Sequence, residues 1–287
     1  LEAGGDAIYV VDDKDRELFS KYGWNINYKL ASLTDTLPQF NEFGDFSANE
    51  YYYLYNNELS KDIGLDLSKY AEKAVTVDIY QLREGMPEKF YPITTARGIV
   101  VKYENEIIGA FISAGRHSVE NACSLSGKSF DEITNVSFAD FIAPLLKSED
   151  DMKSKTPEEI IKLYFKALSE KDEQTAIQCI SKAAMFDGIA ANILNTELYD
   201  GIPHLPLTNK TFIKDGERRI DNIKSISNLE INPRDNEISD ENHKSYTVTF
   251  DAEYVREETI SNGNQYWICT MVYESDNTGW KIASFGH

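Results

Sequence analysis

The sequence predicts an α+β protein of two domains, each with helices packed on an antiparallel sheet. Three observations carry this. The chain has 287 residues, 41% hydrophobic and 27% charged, enough for two cores at roughly 100–200 residues per domain. In each half, segments with helical spacing of apolar residues come first and β-rich segments follow, an order of α+β rather than parallel α/β proteins. Between the halves lies Lys147 to Lys155, where Met152 is the one apolar residue. The expected division is therefore a first domain over 8–147, a linker over 148–155 and a second domain over 156–287.

In the first half, Asp13 to Tyr22 and Ser47 to Ile63 read as helices. The second opens with Ser47 and Glu50 as a capping box and carries Tyr51, Leu54, Tyr55, Leu59 and Ile63 on one stripe. Ala74 to Leu82, Arg97 to Tyr103 and Ile107 to Ala114 are β-rich, with Glu104-Asn105 supplying a turn between the last two. Ser129 to Thr134 and Phe138 to Leu146 read as short helices. Successive residues of a helix diverge by ~100°, so Tyr51, Tyr52, Tyr53 and Tyr55 cannot all face one core. Tyr52 or Tyr53 is expected to be exposed or to meet another element.

The second half opens more sharply. Thr156 caps, Pro157 suits the first helical position, and Glu159 closes a capping box; Ile160, Ile161, Tyr164, Ala167 and Leu168 then form one face. A second helix is expected over Glu173 to Ser181, followed by a connection containing Pro203 and Pro206. Four strands come next: about Arg219 to Ile231, Lys244 to Arg256, Gln265 to Glu274 and Trp280 to Phe285. Asn262-Gly263 and Asp276-Asn277-Thr278-Gly279 mark turns. Tyr246, Val248, Phe250, Ala252 and Tyr254 alternate with Thr247, Thr249, Asp251 and Glu253, so one face is core and the other wet.

Charge narrows the partners. The formal charge is −19, and both halves share it, with 14 basic against 25 acidic residues over 1–150 and 15 against 23 over 151–287. Duplex nucleic acid and anionic membrane surfaces need clustered cations, so neither is an expected partner. No apolar run reaches the ~18–20 residues that span a bilayer. Because the chain starts at Leu1, an upstream N-terminal segment, a cleaved signal among the options, is expected. Cys123, Cys179 and Cys269 allow one disulfide at most, between Cys179 and Cys269; three buried thiols are the expectation.

Particular residues resemble known families. The capped helix Thr156 to Leu168, the Glu170-Lys171-Asp172 turn and the closing Gly279-Trp280-Lys281-Ile282 strand are similar to the nuclear transport factor 2-like (cystatin-like) fold over roughly 155–287. That resemblance implies a bent antiparallel sheet wrapped around helices as a cone. Leu18-Phe19, Tyr22-Gly23-Trp24, Gly64-Leu65-Asp66-Leu67-Ser68 with Tyr70, and Ile107-Ile108-Gly109 resemble domain-of-unknown-function family 4830. The second domain is similar to the companion family 4829. These resemblances imply a Gram-positive exported protein, extracellular and surface-tethered as a lipoprotein, touching the membrane only through an N-terminal anchor. They imply no catalytic residue.

Several motifs reduce to ordinary structure. Gly127-Lys128-Ser129 ends like a phosphate-binding loop, but Ala122 stands where that pattern needs Gly. Leu205-Pro206-Leu207-Thr208-Asn209 resembles a sorting signal placed mid-domain, which its role excludes. His117, His204, His243 and His287 have no partner at ligand spacing, and Asp235, Glu237, Asp240 and Glu241 lack the spacing of a calcium loop. No Gly-x-Ser-x-Gly elbow is present. Asp251 and Glu253 point to water and keep ordinary acidity. What remains is an aromatic wall, Tyr164, Phe186, Phe250, Tyr254, Trp267, Met271 and Tyr273, which reads as a speculative ligand pocket in the cone or as plain core.

The expected function is binding, of a small ligand, a glycan or a cell-surface protein, with no cofactor, no metal and no chemistry of its own. A small-molecule enzyme using the cone and an oligomerisation module are the alternatives; a homo-oligomer is compatible with each.

Overall fold

The computed structural model describes residues 10–40, 48–114, 120–185, 220–234, 239–257 and 260–286. The chain divides into two units, the first made by the described residues between 10 and 138, the second by those of 139–185 and 220–286. Each has one antiparallel sheet with helices, the α+β class the sequence predicts. Among the described residues, no helix is long and apolar enough to cross a membrane.

The first unit runs α1 (Asp13–Lys21), β1 (Ile26–Thr36), α2 (Ala48–Lys61), β2 (Ala74–Leu82), β3 (Arg97–Tyr103), β4 (Glu106–Ser113), β5 (Ala122–Cys123), α3 (Phe130–Thr134) and α4 (Phe138–Ile142), the last crossing into the second unit. Its strands lie in chain order, β1 to β5. Strand β1 corrects the expected helices-then-meander order. It escaped notice because register shifts between Ile26 and Tyr28 and between Lys29 and Ala31 break the alternation before Ala31, and in the regular stretch that follows the polar Asp35 takes an inward place. With two residues, β5 is too short to have a period.

The helices cover opposite faces of this sheet. Phe19 of α1 lies over Gly98, where any Cβ would strike its ring, and joins Tyr80, Leu82, Val100, Ala110 and Ile112 in one core cluster. Phe111, pointing the other way, meets Tyr52 of α2 at 6.1 Å between ring centres. On that side the Ser60 hydroxyl accepts the Ala110 N–H at 3.2 Å, and Gly109 leaves room for Leu67. The tyrosine run is buried throughout, because α2 is covered on more than one side. Tyr52 packs on the sheet, Tyr51 and Tyr55 pack on Phe138, and Tyr53 donates its hydroxyl to Asp35 of β1 at 2.6 Å.

Charge is also buried under α1. Lys102 of β3 places its ammonium 2.7 Å from Asp15, 3.1 Å from Asp78 and 3.3 Å from Asp12. Lys29 of β1 reaches Asp78 at 2.7 Å, Ser32 donates to the same carboxylate at 2.6 Å, and the Tyr80 hydroxyl donates to Asp15. Desolvation acts against the Lys102 charge, but Asp15 and Asp78 overcome it and its pKa rises. Desolvation likewise works against ionised Asp78, yet Lys29, Ser32 and Lys102 hold its pKa below the ordinary value. Asp15, 0% exposed, goes the other way: burial outweighs the help of Lys102 and Tyr80.

The second unit contains α5 (Pro157–Glu170), α6 (Glu173–Gln178), β6 (Ile223–Arg234), β7 (His243–Tyr254), β8 (Gly263–Ser275) and β9 (Gly279–Gly286), with its four strands in chain order. The Thr156 cap forms as read: the Glu159 N–H donates to Thr156 Oγ1 at 3.3 Å and the Thr156 N–H to Glu159 at 2.8 Å. The segment 148–155, expected as a linker, makes specific contacts inside this unit. Met152 is buried, the Glu149 N–H donates to Asn277 O at 2.8 Å, and Glu149 takes the ammonium of fully buried Lys281. Gly279, at φ +70°, sits against the Lys153 backbone, so a side chain there would meet both strain and a clash.

Two outcomes follow from the buried charges. Lys102→Met leaves Asp15 without its cation and should cost about 3–5 kcal/mol in urea denaturation, part of which Asp15→Asn in the same chain recovers. Asp35 is 6% exposed, and burial raises its pKa above 3.8 against the opposing Tyr53 and Thr36 donors. The native state therefore holds this proton more tightly than the unfolded chain. Its stabilising contribution is full below about pH 4 and is lost as pH rises through the folded pKa. Asp35→Asn has no such titration, so its stability relative to wild type should increase from about pH 4 upward when both are unfolded in urea across the pH range.

Candidate functional site

The aromatic wall expected in the second unit packs against itself. Phe165 of α5, which the sequence reading left out, lies 4.7 Å from Phe250, 5.8 Å from Trp267 and 5.9 Å from Phe285 between ring centres. Phe250 and Trp267 are 4.9 Å apart, and Tyr164 stacks on Phe285 at 5.4 Å. Tyr164, Phe250, Tyr254, Trp267 and Met271 are all buried. Met271 sits beside Cys269, sulfur to sulfur at 3.6 Å. Tyr273 leaves this group: it packs on Trp280 near the β8–β9 turn and donates its hydroxyl to Asp276 at 3.1 Å. Phe186 lies outside the described residues. Ring spacings of this kind are those of interior aromatic contacts.

The other singled-out residues have local explanations. Lys128 pairs with Asp62 at 2.8 Å, Gly127 makes a turn at φ +83°, and Ser129 caps α3. His243 bonds Asp240 at 3.0 Å on the surface. Asp251, expected to keep ordinary acidity, is instead held below its ordinary pKa by the amides of Asn228 and Asn264. His117, His204, His287, Asp235, Glu237 and 205–209 lie outside the described residues. Among the described residues, no three His, Cys, Asp or Glu side chains gather in a way that could hold a metal ion. The three cysteines are free and buried, and burial pushes the Cys123 and Cys179 thiols up to about 12.

An open cleft lies in the first unit instead. Its volume is about 770 Å³, and its walls come from Tyr55 of α2, Lys89 and Phe90, Glu120, and the α3 region from Ser129 to Phe138. Small-molecule sites run to roughly 300–1,000 Å³. Behind its inner wall lies an aromatic layer that is itself nearly all buried: Tyr55 stacks on Phe130 at 4.8 Å, and Phe138 meets Tyr55 at 4.9 Å and Phe130 at 5.0 Å. The Tyr55 hydroxyl donates to Glu120 O and the Tyr51 hydroxyl to Glu120 Oε1, each at 3.0 Å. Helix α3 is short because Asn135 takes the left-handed conformation at φ +63°; next to it Val136, on the cleft wall, is 42% exposed. The Ser129 N–H donates to Glu132 at 2.8 Å and the Ser129 hydroxyl to Asp131 at 2.6 Å.

The charges around the cleft are uneven. Lys89 pairs with Glu132 and stands 5.7 Å from the centre of the Phe90 ring. Lys89, followed by the Ser129 N–H, lowers the Glu132 pKa to about 2. Glu120 and Asp131 add two more carboxylates, and Lys89 is the one ammonium among the described residues that line the cleft. The sequence reading missed the cleft. Its one signal there was the tyrosine run, which named Tyr55 but not what would face it.

Comparison with known proteins matches both units. Residues 18–112 match the family described as Domain of unknown function (DUF4830), and residues 158–286 match Domain of unknown function (DUF4829). No curated protein matches the chain at a significant level. A solved structure of a cystatin-like protein from Ruminococcus gnavus is similar at 14% sequence identity and a TM-score of 0.29. The similarity covers 80% of this chain and 62% of that one, so the chain spans less than two thirds of that protein's length.

Because Trp267 is wedged among Phe165, Phe250 and Phe285, Trp267→Ala should cost about 3–5 kcal/mol of stability, read from the shift of a urea denaturation curve. A loss below about 1 kcal/mol would return the wall to the status of a pocket lining.

Proposed function

We propose that this is an exported, surface-tethered bacterial binding protein, and that it binds a small ligand in the cleft of the first unit. The observation that carries the reading is the cleft itself: it has the volume of a small-ligand site, an aromatic layer behind its inner wall, and polar groups on its rim. Phe165, Phe250, Trp267 and Phe285 of the second unit are engaged with one another, which gives that unit a supporting role in this reading. Export and tethering rest on the family resemblance. They are compatible with the buried thiols, whose raised pKa keeps them protonated and poorly reactive outside the cell.

A thermal-shift screen of basic, acidic and neutral small molecules tests the site. At least one compound should raise the melting temperature of the full chain, and Val136→Trp, which fills the cleft from an exposed position, should abolish that rise without unfolding the protein. A rise unchanged in Val136→Trp would overturn the site. Recovery of the native protein in the cytosolic fraction of its host would overturn the export.

A further inference from the structure

We infer that the cleft recognises a cationic group, ammonium or guanidinium, carried on an apolar body; this deepens the binding reading above and rests on it. The first ground is the sign of the rim. Among the described residues that line the cleft, Glu120, Asp131 and Glu132 face one ammonium, Lys89, with Lys128 of the Asp62 pair within electrostatic reach of Glu132, in a chain whose net charge is −19. An anionic group entering there meets three carboxylates, whereas a cation is attracted.

The second ground is independent of that count. Lys89 places its own ammonium between a carboxylate, Glu132, and an aromatic ring, Phe90, with 5.7 Å from Nζ to the ring centre. This pairing of an anion with a π face is the chemistry that receives organic cations. The protein's lysine therefore acts as an internal stand-in for a ligand cation. Its pairing is solvent-accessible, the Lys89 side chain being 34% exposed and that of Glu132 49%, so it exchanges at little cost.

The third ground is hydrogen-bond capacity. Glu120 takes a hydroxyl donor from Tyr51 and Asp131 one from Ser129. A carboxylate offers about four acceptor positions, so both have capacity for N–H donors from a ligand. The body attached to the cation meets the half-buried Phe90 ring and the exposed Val136. A free arylalkylamine and a basic side chain beside an aromatic one in a peptide share this chemistry.

Isothermal titration of the full chain with four probes tests the assignment. These are phenethylamine, the peptide amide acetyl-Phe-Arg, its acidic counterpart acetyl-Phe-Glu, and the neutral sugar chitotetraose. One or both basic probes should bind at least about tenfold more tightly than the acidic peptide, and raising the salt from about 50 to about 500 mM should weaken them. Preference between the two basic probes tells free amine from peptide. Asp131→Asn should weaken the basic probes by about tenfold. Lys89→Met should tighten them severalfold, because Glu132 then loses its internal cation; a merely structural Lys89 would give no gain. Tighter binding of chitotetraose or the acidic peptide, lost in Val136→Trp, would keep the cleft as the site and overturn the cation. Failure of all four probes at millimolar concentration, or binding indifferent to Val136→Trp, would overturn both.

Discussion

An ammonium group taken out of water must be surrounded by acceptors before apolar residues can close around it. Each unit of this protein is organised around one such group. In the first, Lys102 draws Asp15 from α1 and Asp78 from β2 to one point, and Lys29 of β1 completes the arrangement. These bonds act with the seat of the Phe19 ring on Gly98 to set which turn of α1 lies over which strand. In the second, Lys281 binds Glu149 and the Gln178 carbonyl at 2.5 Å, tying the segment before α5 and the end of α6 to strand β9. That is why a charged stretch with one apolar residue has defined contacts inside the second unit.

The same requirement separates the roles of the two units in the proposed function. In the second, Phe250 and Trp267 of the expected wall form a ring cluster with Phe165 and Phe285, and their burial contributes to stability. In the first, α2 is more apolar than one sheet face can cover, so α3 and the start of α4 bring Phe130 and Phe138 onto its tyrosines. Because Asn135 ends α3 after little more than one turn, this cover is incomplete at its edge. The cleft opens beside it, over an aromatic layer made by packing, with a charged rim contributed by α3, the helical turn at Lys89 and Glu120.

Local interactions were legible. The Thr156–Glu159 cap, the Pro157 start and the alternation of β7 depend on neighbours within a few residues, and they form as read. Strand β1 was not legible, because its two register shifts are set by pairing with β2 and not by its own residues. The tyrosine run was half legible: geometry required at least one ring to leave the main face, but the partners Phe111, Phe138 and Asp35 lie far off in sequence. The cleft draws on residues 55, 89–90, 120 and 129–138, four separated segments with no shared spacing.

By itself, then, the sequence determined the α+β class, the Thr156–Glu159 cap, most strands and a strongly acidic character, since these follow from short-range periodicity, backbone capping and summed charge; the expected Ser47 cap lies outside the described residues. Only the tertiary structure decided that Phe165, Phe250 and Trp267 of the second unit pack together in its interior, that segment 148–155 bonds to β9, and that Lys89 meets Glu132 at the edge of an open cleft. Whether a ring fills a space or lines it depends on what arrives from the far side, and that depends on long-range packing, which leaves no local pattern in the chain.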